Sequence, residues 1–247
     1  MSATGPTAIE FLEGEGPIRF VETPGPSLTS GHRTAMDGLW REAVQANPAL
    51  FDGPVVAVTG LSVGSEGIEV SWARTTYRRH VLEQVPGAVR MESLYVSVAQ
   101  PTPVGVLLGR MAAWTSGPGR WVLPGGSVEP PEPGKPLDES LLRDHAAREL
   151  REETGLEVDP SRLERWAVLR NPIGNLGIFY RAAPMSEAMV RDRFTAHNAQ
   201  QRLHGEEPEL TDIHFVGGPA DLDDLEGPAA TSVPALLERF RVVTEGC

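Results

Sequence analysis

Between Asp138 and Gly155 the chain reads DESLLRDHAARELREETG, and no other stretch restricts the fold as much. Ala146, Ala147 and Leu150 make an apolar stripe on a helix expected from about Asp138 to Thr154, which Gly155 is well suited to cap. Glu149, Glu152 and Glu153 recur at three- and four-residue spacing, so they project together within one turn beside that stripe. Carboxylates held against a buried face repel one another and cannot spread into solvent. A hard divalent cation, Mg2+ or Mn2+, resolves the conflict, because both ions take oxygen ligands and keep some of their waters. Taken alone, RELREE reads more readily as an exposed helix laced with i,i+4 ion pairs. The residues upstream decide between the two.

Upstream lies GRWVLPGG, a strand ending in the Gly125–Gly126 turn, followed by the proline-rich EPPEPGKP, which is unsuited to regular structure. Together, WVLPGGSVEP…HAARELREETGL resembles the Nudix hydrolase signature Gly-x5-Glu-x7-Arg-Glu-U-x-Glu-Glu-x-Gly-U, with U apolar. Its second half is matched in full from Arg148 to Leu156. The first half departs. Counted back from Arg148, the leading glutamate falls on Ser140, with Glu139 one place early and able to reach Arg148 from the loop. The glycine lies about eight residues further upstream than the signature allows, the difference being taken up by the proline-rich insert.

The resemblance implies a Nudix fold, an α/β chain of the α+β sandwich type with a mixed sheet between helices. It implies that Glu149, Glu152 and Glu153 hold Mg2+ or Mn2+, with the Gly125 carbonyl as a further ligand. Arg148 is then the structural partner of the glutamates, and either Glu152 or Glu153 helps deprotonate the attacking water. Glu209, before the strand LTDIHFV, sits where many Nudix enzymes place an extra metal-binding acid, with Glu206 and Glu207 as rivals. The chemistry is attack of water on one phosphorus of X–P–P–Y, giving two monophosphates. Bound metal neutralises the diphosphate charge and lowers the pKa of the water.

The formal charge of −12 argues against nucleic-acid or anionic-membrane partners, and an anionic substrate then needs a local cation. The single cysteine, Cys247, leaves no disulfide within the chain. With MSATGPTAIEFLEGEG lacking the pattern of a signal peptide, the expected location is cytoplasmic. Apolar residues at 40% suffice for a packed core.

Pro86–Gly87 marks a boundary between an N-terminal α/β extension, residues 1–89, and a Nudix part, residues 90–247. In the extension, PIRFVETP is expected as a strand and Ser30 as the cap of a helix through Met36, Leu39, Trp40 and Val44. VVAVTGLSV and GIEVSWART are expected as a hairpin, and RTTYRRHVLEQ as a helix. Beyond it, SLYVSVAQ, VGVLLGRMAAW, WAVLRNP, LGIFYRAA and LTDIHFVG read as strands. SEAMVRDRFTAHNAQQRL and VPALLERFRVV read as helices. Trp114 and Trp121 are expected in the core, and His145 at the surface.

The extension and the segments LRNPIGNLGIFYRAAP and HGEEPELTDIHFVGG resemble the eukaryotic UDP-sugar diphosphatases, over most of the chain. That likeness implies hydrolysis of UDP-glucose to UMP and glucose 1-phosphate, with Arg170 and Asn171 near the substrate. A strand-end turn before Pro172 is an equally good reading of that pair. Arg74, Arg78, Arg79 and Tyr77 form the main basic cluster, either approaching the nucleotide or forming a solvated helix face. Rival readings are a Nudix hydrolase for ADP-ribose, dinucleotides or modified nucleoside triphosphates, and a non-catalytic nucleotide sensor. Nudix proteins often form homodimers, an arrangement open to this chain too.

Overall fold

The computed structural model describes residues 8–14 and 16–245, so Cys247 and the first seven residues lie outside the described residues. The elements run β1 (Glu10–Phe11), β2 (Ile18–Glu22), α1 (Ser30–Ala46), β3 (Pro54–Gly64), β4 (Gly67–Thr76), β5 (Glu92–Ala99), β6 (Pro101–Thr102) and β7 (Gly105–Met111). There follow β8 (Trp121–Val122), β9 (Gly125–Ser127), α2 (Glu139–Thr154), β10 (Glu164–Arg170), β11 (Leu176–Arg181), α3 (Glu187–Leu203), β12 (Leu210–Val216) and α4 (Val233–Glu245). The larger sheet has the order β1-β10-β11-β5-β3-β4-β2, with β9 also paired to β5. A smaller sheet runs β12-β7-β6, with β8 on β7. Parallel pairing of β11 with β5 and of β2 with β4, among otherwise antiparallel neighbours, makes the larger sheet mixed.

Period-two alternation along β5 separates two cores. Leu94, Val96 and Val98 join Ile178 and Tyr180 of β11 and Leu142, Ala146 and Leu150 of α2. On the other side Tyr95 and Ala99 meet Leu169, Phe179 and the α4 residues Val233, Leu236, Leu237 and Phe240. The mixed sheet therefore lies between helices, as expected of a Nudix fold.

The extension continues the same sheet. β3 pairs with β4 and also with the start of β5, Ala57 opposite Ser93. The Val56 amide donates to the Val128 carbonyl at 2.8 Å. Val56, Val58, Val70 and Trp72 belong to the core that buries α2. On its outer side α1 packs through Met36 against Val81 and Leu82 of a 3₁₀ segment, Tyr77–Gln84.

Two local expectations are corrected. Thr29, not Ser30, caps α1, its hydroxyl accepting from the His32 amide at 3.1 Å. RTTYRRHVLEQ is not one helix, because Arg74–Thr76 complete β4 and only Tyr77–Gln84 turns, as 3₁₀. Its arginines are structural ties. Arg74 pairs with Glu22 at 2.8 Å and donates to the Pro131 carbonyl. Arg78 meets Asp52 at 3.2 Å and Asp37 at 3.3 Å, and Arg79 donates to the Pro26 carbonyl at 2.8 Å. Trp121 is a core residue, 3% exposed, and Trp114 is half-buried. Among the described residues no helix is long and apolar enough to cross a membrane.

Because sheet and core both cross residue 89, a fragment of residues 90–247 should lack a cooperative thermal transition. Calorimetry beside the full chain tests this, and a fragment melting like the full chain would overturn it.

Candidate active site

Helix α2 is set by signals at both its ends. The Asp138 carboxylate accepts from the Leu141 amide at 2.9 Å, and Gly155 closes the helix in the left-handed conformation, φ 72°. Leu142, Ala146 and Leu150 fix the buried face, so the glutamates are graded by their angle from it. Glu153 is 7% exposed, the Glu149 side chain 18% and that of Glu152 54%.

The glycines expected as a turn are strand residues: the strand before them stops at Val122, and Gly125–Ser127 form β9 under this helix, with Gly125 opposite Ser97 and Gly126 opposite Val96 of β5. Gly125 has φ +155°, and a side chain there would strike the backbone of β5. At Gly126 a Cβ would sit 2.5 Å from Glu149 Oε2, so the absence of a side chain is what admits that carboxylate. The Gly125 amide donates to Glu153 Oε2 at 3.0 Å.

Burial is the first cause of the shifted carboxyls. It pushes Glu149 up to about 6, against the opposing pull of Arg148. Glu153 lies well above the usual range, through burial and then the charges of Glu209 and Glu149. Glu209 is also raised, by desolvation and by Glu152. The residue as a whole is exposed, and its backbone carbonyl accepts from the Ala112 amide at 2.7 Å. Glu209 is thus the acid whose charge acts on Glu149 and Glu153, whereas Glu206 and Glu207 lie exposed in the loop before it.

The arginine finds a partner other than the expected one. Arg148 Nη2 donates to Glu129 Oε1 at 3.0 Å and to Glu149 Oε1 at 3.3 Å, and its Nε lies 3.9 Å from Glu152 Oε2. Although burial works against the charge, Glu129, Glu149 and Glu152 hold the guanidinium above its ordinary pKa. Glu139 does not reach it, being taken at the start of α2 by Arg165 at 3.0 Å and Arg143 at 3.9 Å. Glu132, at the signature's spacing from Gly126, is exposed. His145 is buried, not on the surface, with burial and the Arg148 charge lowering its pKa. Its Nδ1 accepts from the Glu129 amide at 3.4 Å, which helps to place Glu129. The signal for Glu129 lay in its nearness to the Gly-Gly pair, not in counting back from the helix.

Among the described residues no three His, Cys, Asp or Glu side chains already stand in a metal-holding arrangement. The donor set nevertheless suits a hard divalent ion. Every available donor is oxygen, and neither Glu153 nor Glu209 has an ion pair among the described residues. Arg148 offsets Glu149 and Glu152, whereas the buried Glu153 is left without a protein cation among the described residues.

A cleft of about 590 Å³ opens over Gly125 and Glu153. Tyr95, Phe179, Met111 and Leu236 form its apolar walls, and Ser97, Thr231 and Asn175 its polar ones. Burial pushes the Tyr95 hydroxyl up to about 12, so it stays protonated. Arg120, exposed and with no carboxylate partner among the described residues, lines the same cleft. Asn171 lines it too, and its Oδ1 accepts from the amides of Ile173 at 3.1 Å and Asn175 at 3.0 Å. Arg170 is outside the lining, donating to Glu92 at 2.7 Å and to the Gly174 carbonyl at 3.3 Å. Both residues brace the loop, and Asn171 also faces the cavity.

The NUDIX domain profile matches residues 93–234. No curated protein sequence matches the chain. Among solved structures, the chain is similar to a MutT protein from Methanosarcina mazei Go1, at 18% identity and TM-score 0.43, covering 62% of this chain and 96% of that one. A MutT NUDIX hydrolase from Burkholderia pseudomallei shares 19% identity at TM-score 0.40, over 60% of this chain and 97% of its own. An ADP-ribose pyrophosphatase from Streptococcus suis shares 19% identity at TM-score 0.36, over 62% and 91%.

The raised carboxyls carry a pH signature. Folding favours their protonated forms, so for Glu149 the contribution to stability is complete below the ordinary 4.5 and falls as pH rises through about 6. For Glu149 the loss is about 2 kcal/mol. Metal-free wild type should therefore lose stability relative to Glu149→Gln between about pH 4.5 and pH 7 in paired thermal melts. Mg2+ should raise the wild-type melting temperature near pH 8 and hardly at all near pH 5.

Proposed function

This chain belongs to the NUDIX family and is a hydrolase of diphosphate linkages, and we propose that it acts on nucleoside diphosphate sugars, UDP-glucose first, with a divalent metal. One observation carries the reading. Glu149 and Glu153 lie against the two glycines of β9, where Glu153 lines a cleft; the charge of Glu209 acts on both, and neither Glu153 nor Glu209 has a cationic partner among the described residues. Glu149, Glu152, Glu153, Glu209 and the Gly125 carbonyl would hold Mg2+ or Mn2+. When bound, the ion supplies the positive field that an acidic chain needs for an anionic substrate and lowers the pKa of water.

The protein's own groups do the rest. Arg148, tied to Glu129, keeps Glu149 in place. Glu152 is the box glutamate open to solvent, while Glu153 is held by the Gly125 amide. Arg120 is placed to meet a phosphate, and the braced Asn171–Asn175 loop gives the substrate a firm wall. The cavity falls in the ~300–1,000 Å³ range of small-ligand sites. What favours UDP-sugars within that class is the resemblance of the extension and of the segments after the helix.

The test is product analysis with Mg2+ across UDP-sugars, ADP-ribose, dinucleotides and nucleoside triphosphates. UMP and a sugar 1-phosphate, released fastest from a UDP-sugar, are the expected result. Faster cleavage of ADP-ribose or a triphosphate would reassign the substrate, and no cleavage by wild type would favour a sensor. Glu153→Gln should lose on the order of a hundredfold or more in turnover. Its metal-free melting temperature should equal or exceed wild type, since the amide still accepts from Gly125 and buries no charge.

A further inference from the structure

Helix α3 supplies no carboxylate to the cluster, yet adjacent residues on it grip both elements that do. Helix α2 ends at Thr154, where the Gly155 amide bonds the Arg151 carbonyl at 2.8 Å. The next amide, that of Leu156, would continue the helix by bonding Glu152, but it meets Thr154 Oγ1 instead, at 3.3 Å. The Glu152 carbonyl is thereby one of the acceptors that a helix end leaves unclaimed. His197 Nε2 takes it at 2.7 Å, with Gln201 Nε2 behind at 3.4 Å. The approach needs Gly155, since a Cβ there would lie 2.6 Å from His197 Cβ.

One residue along α3, Asn198 is 3% exposed and donates through Nδ2 to the Leu210 carbonyl at 2.9 Å. Leu210 follows Glu209 and begins β12. Val190 and Phe194 seat α3 in the core, so the helix cannot simply follow either neighbour. His197 thus fixes the end of the box helix and Asn198 the strand that carries Glu209.

We propose that α3 is a spacer setting the separation between the box glutamates and Glu209, with His197 and Asn198 as positioning residues. The inference rests on the reading that these acids share a divalent ion. Such a site needs its oxygens held within about 0.5 Å, and groups that orient ligands typically change metal affinity 10–100-fold when removed. Neither His197 nor Asn198 lines the substrate cleft, so their removal acts on metal and turnover before substrate affinity.

The experiment is titration with Mn2+ alone, free ion being followed by electron paramagnetic resonance, beside kcat and KM for the fastest substrate of the panel. His197→Leu should weaken Mn2+ binding about tenfold or more and lower kcat, with KM changed less than about threefold. His197→Gln, which keeps a donor, should return Mn2+ binding to within about threefold of wild type. Asn198→Ser tests the other end of the spacer and should weaken Mn2+ binding as well, which keeps the test decisive if His197→Leu misfolds. Wild-type Mn2+ affinity in a folded His197→Leu, or in Asn198→Ser should His197→Leu misfold, would overturn the spacer alone. A wild type that binds no Mn2+ would overturn the metal site and the spacer together.

Discussion

The contact on which the rest depends is the hydrogen bond from the Gly125 amide to the Glu153 carboxylate. A carboxylate this buried persists only with a donor at hand, and here the donor is main chain from β9, paired to the central strand β5. The contact requires α2 and β9 to approach so closely that Gly126 cannot carry a side chain without displacing Glu149. The same closeness seats Leu150 and Ala146 against β5, so the apolar core and the acidic cluster share one helix placement.

How the nearby cations are allotted follows from that placement. Arg148 is spent on Glu129 and Glu149, Arg143 and Arg165 on Glu139, and Arg170 on Glu92. Among the described residues, Glu153 and Glu209 are left with raised carboxyls and no ion pair, and Arg120 lines the cleft without a carboxylate partner. In a chain of net charge −12 these two acids sit beside the glycines of β9, where a bound cation would offset them and give an anionic substrate a local positive field.

Much of this was legible locally. The period of α2 and its Asp138 and Gly155 signals lie within one stretch of sequence, as do the apolar runs of β5, β7 and β11. The helix gave the glutamates a common side, but not the difference in burial between Glu152 and Glu153, which depends on how deep the neighbouring sheet brings the helix. Glu129 was hidden because the partner of Arg148 is fixed by the fold around Gly125, while the count ran back along the helix to Glu139. His145 read as a surface residue because its cover comes from the Glu129 segment. Arg74, Arg78 and Arg79 read as one basic face, but their partners Glu22, Asp37 and Asp52 are distant in sequence. The two-residue β1 and β8 carry too few residues for any period to show.

The proline-rich stretch between Gly126 and α2 departs from the signature in length yet leaves the site geometry alone. Glu129 is pinned to Arg148 at one end of the detour, Asp138 caps α2 at the other, and Arg74 holds the Pro131 carbonyl between. With both ends tethered, lengthening such a loop adds only a slowly growing closure term. The detour is therefore a tolerant joint: residues added or removed there would cost little while β9 and the glutamates keep their register.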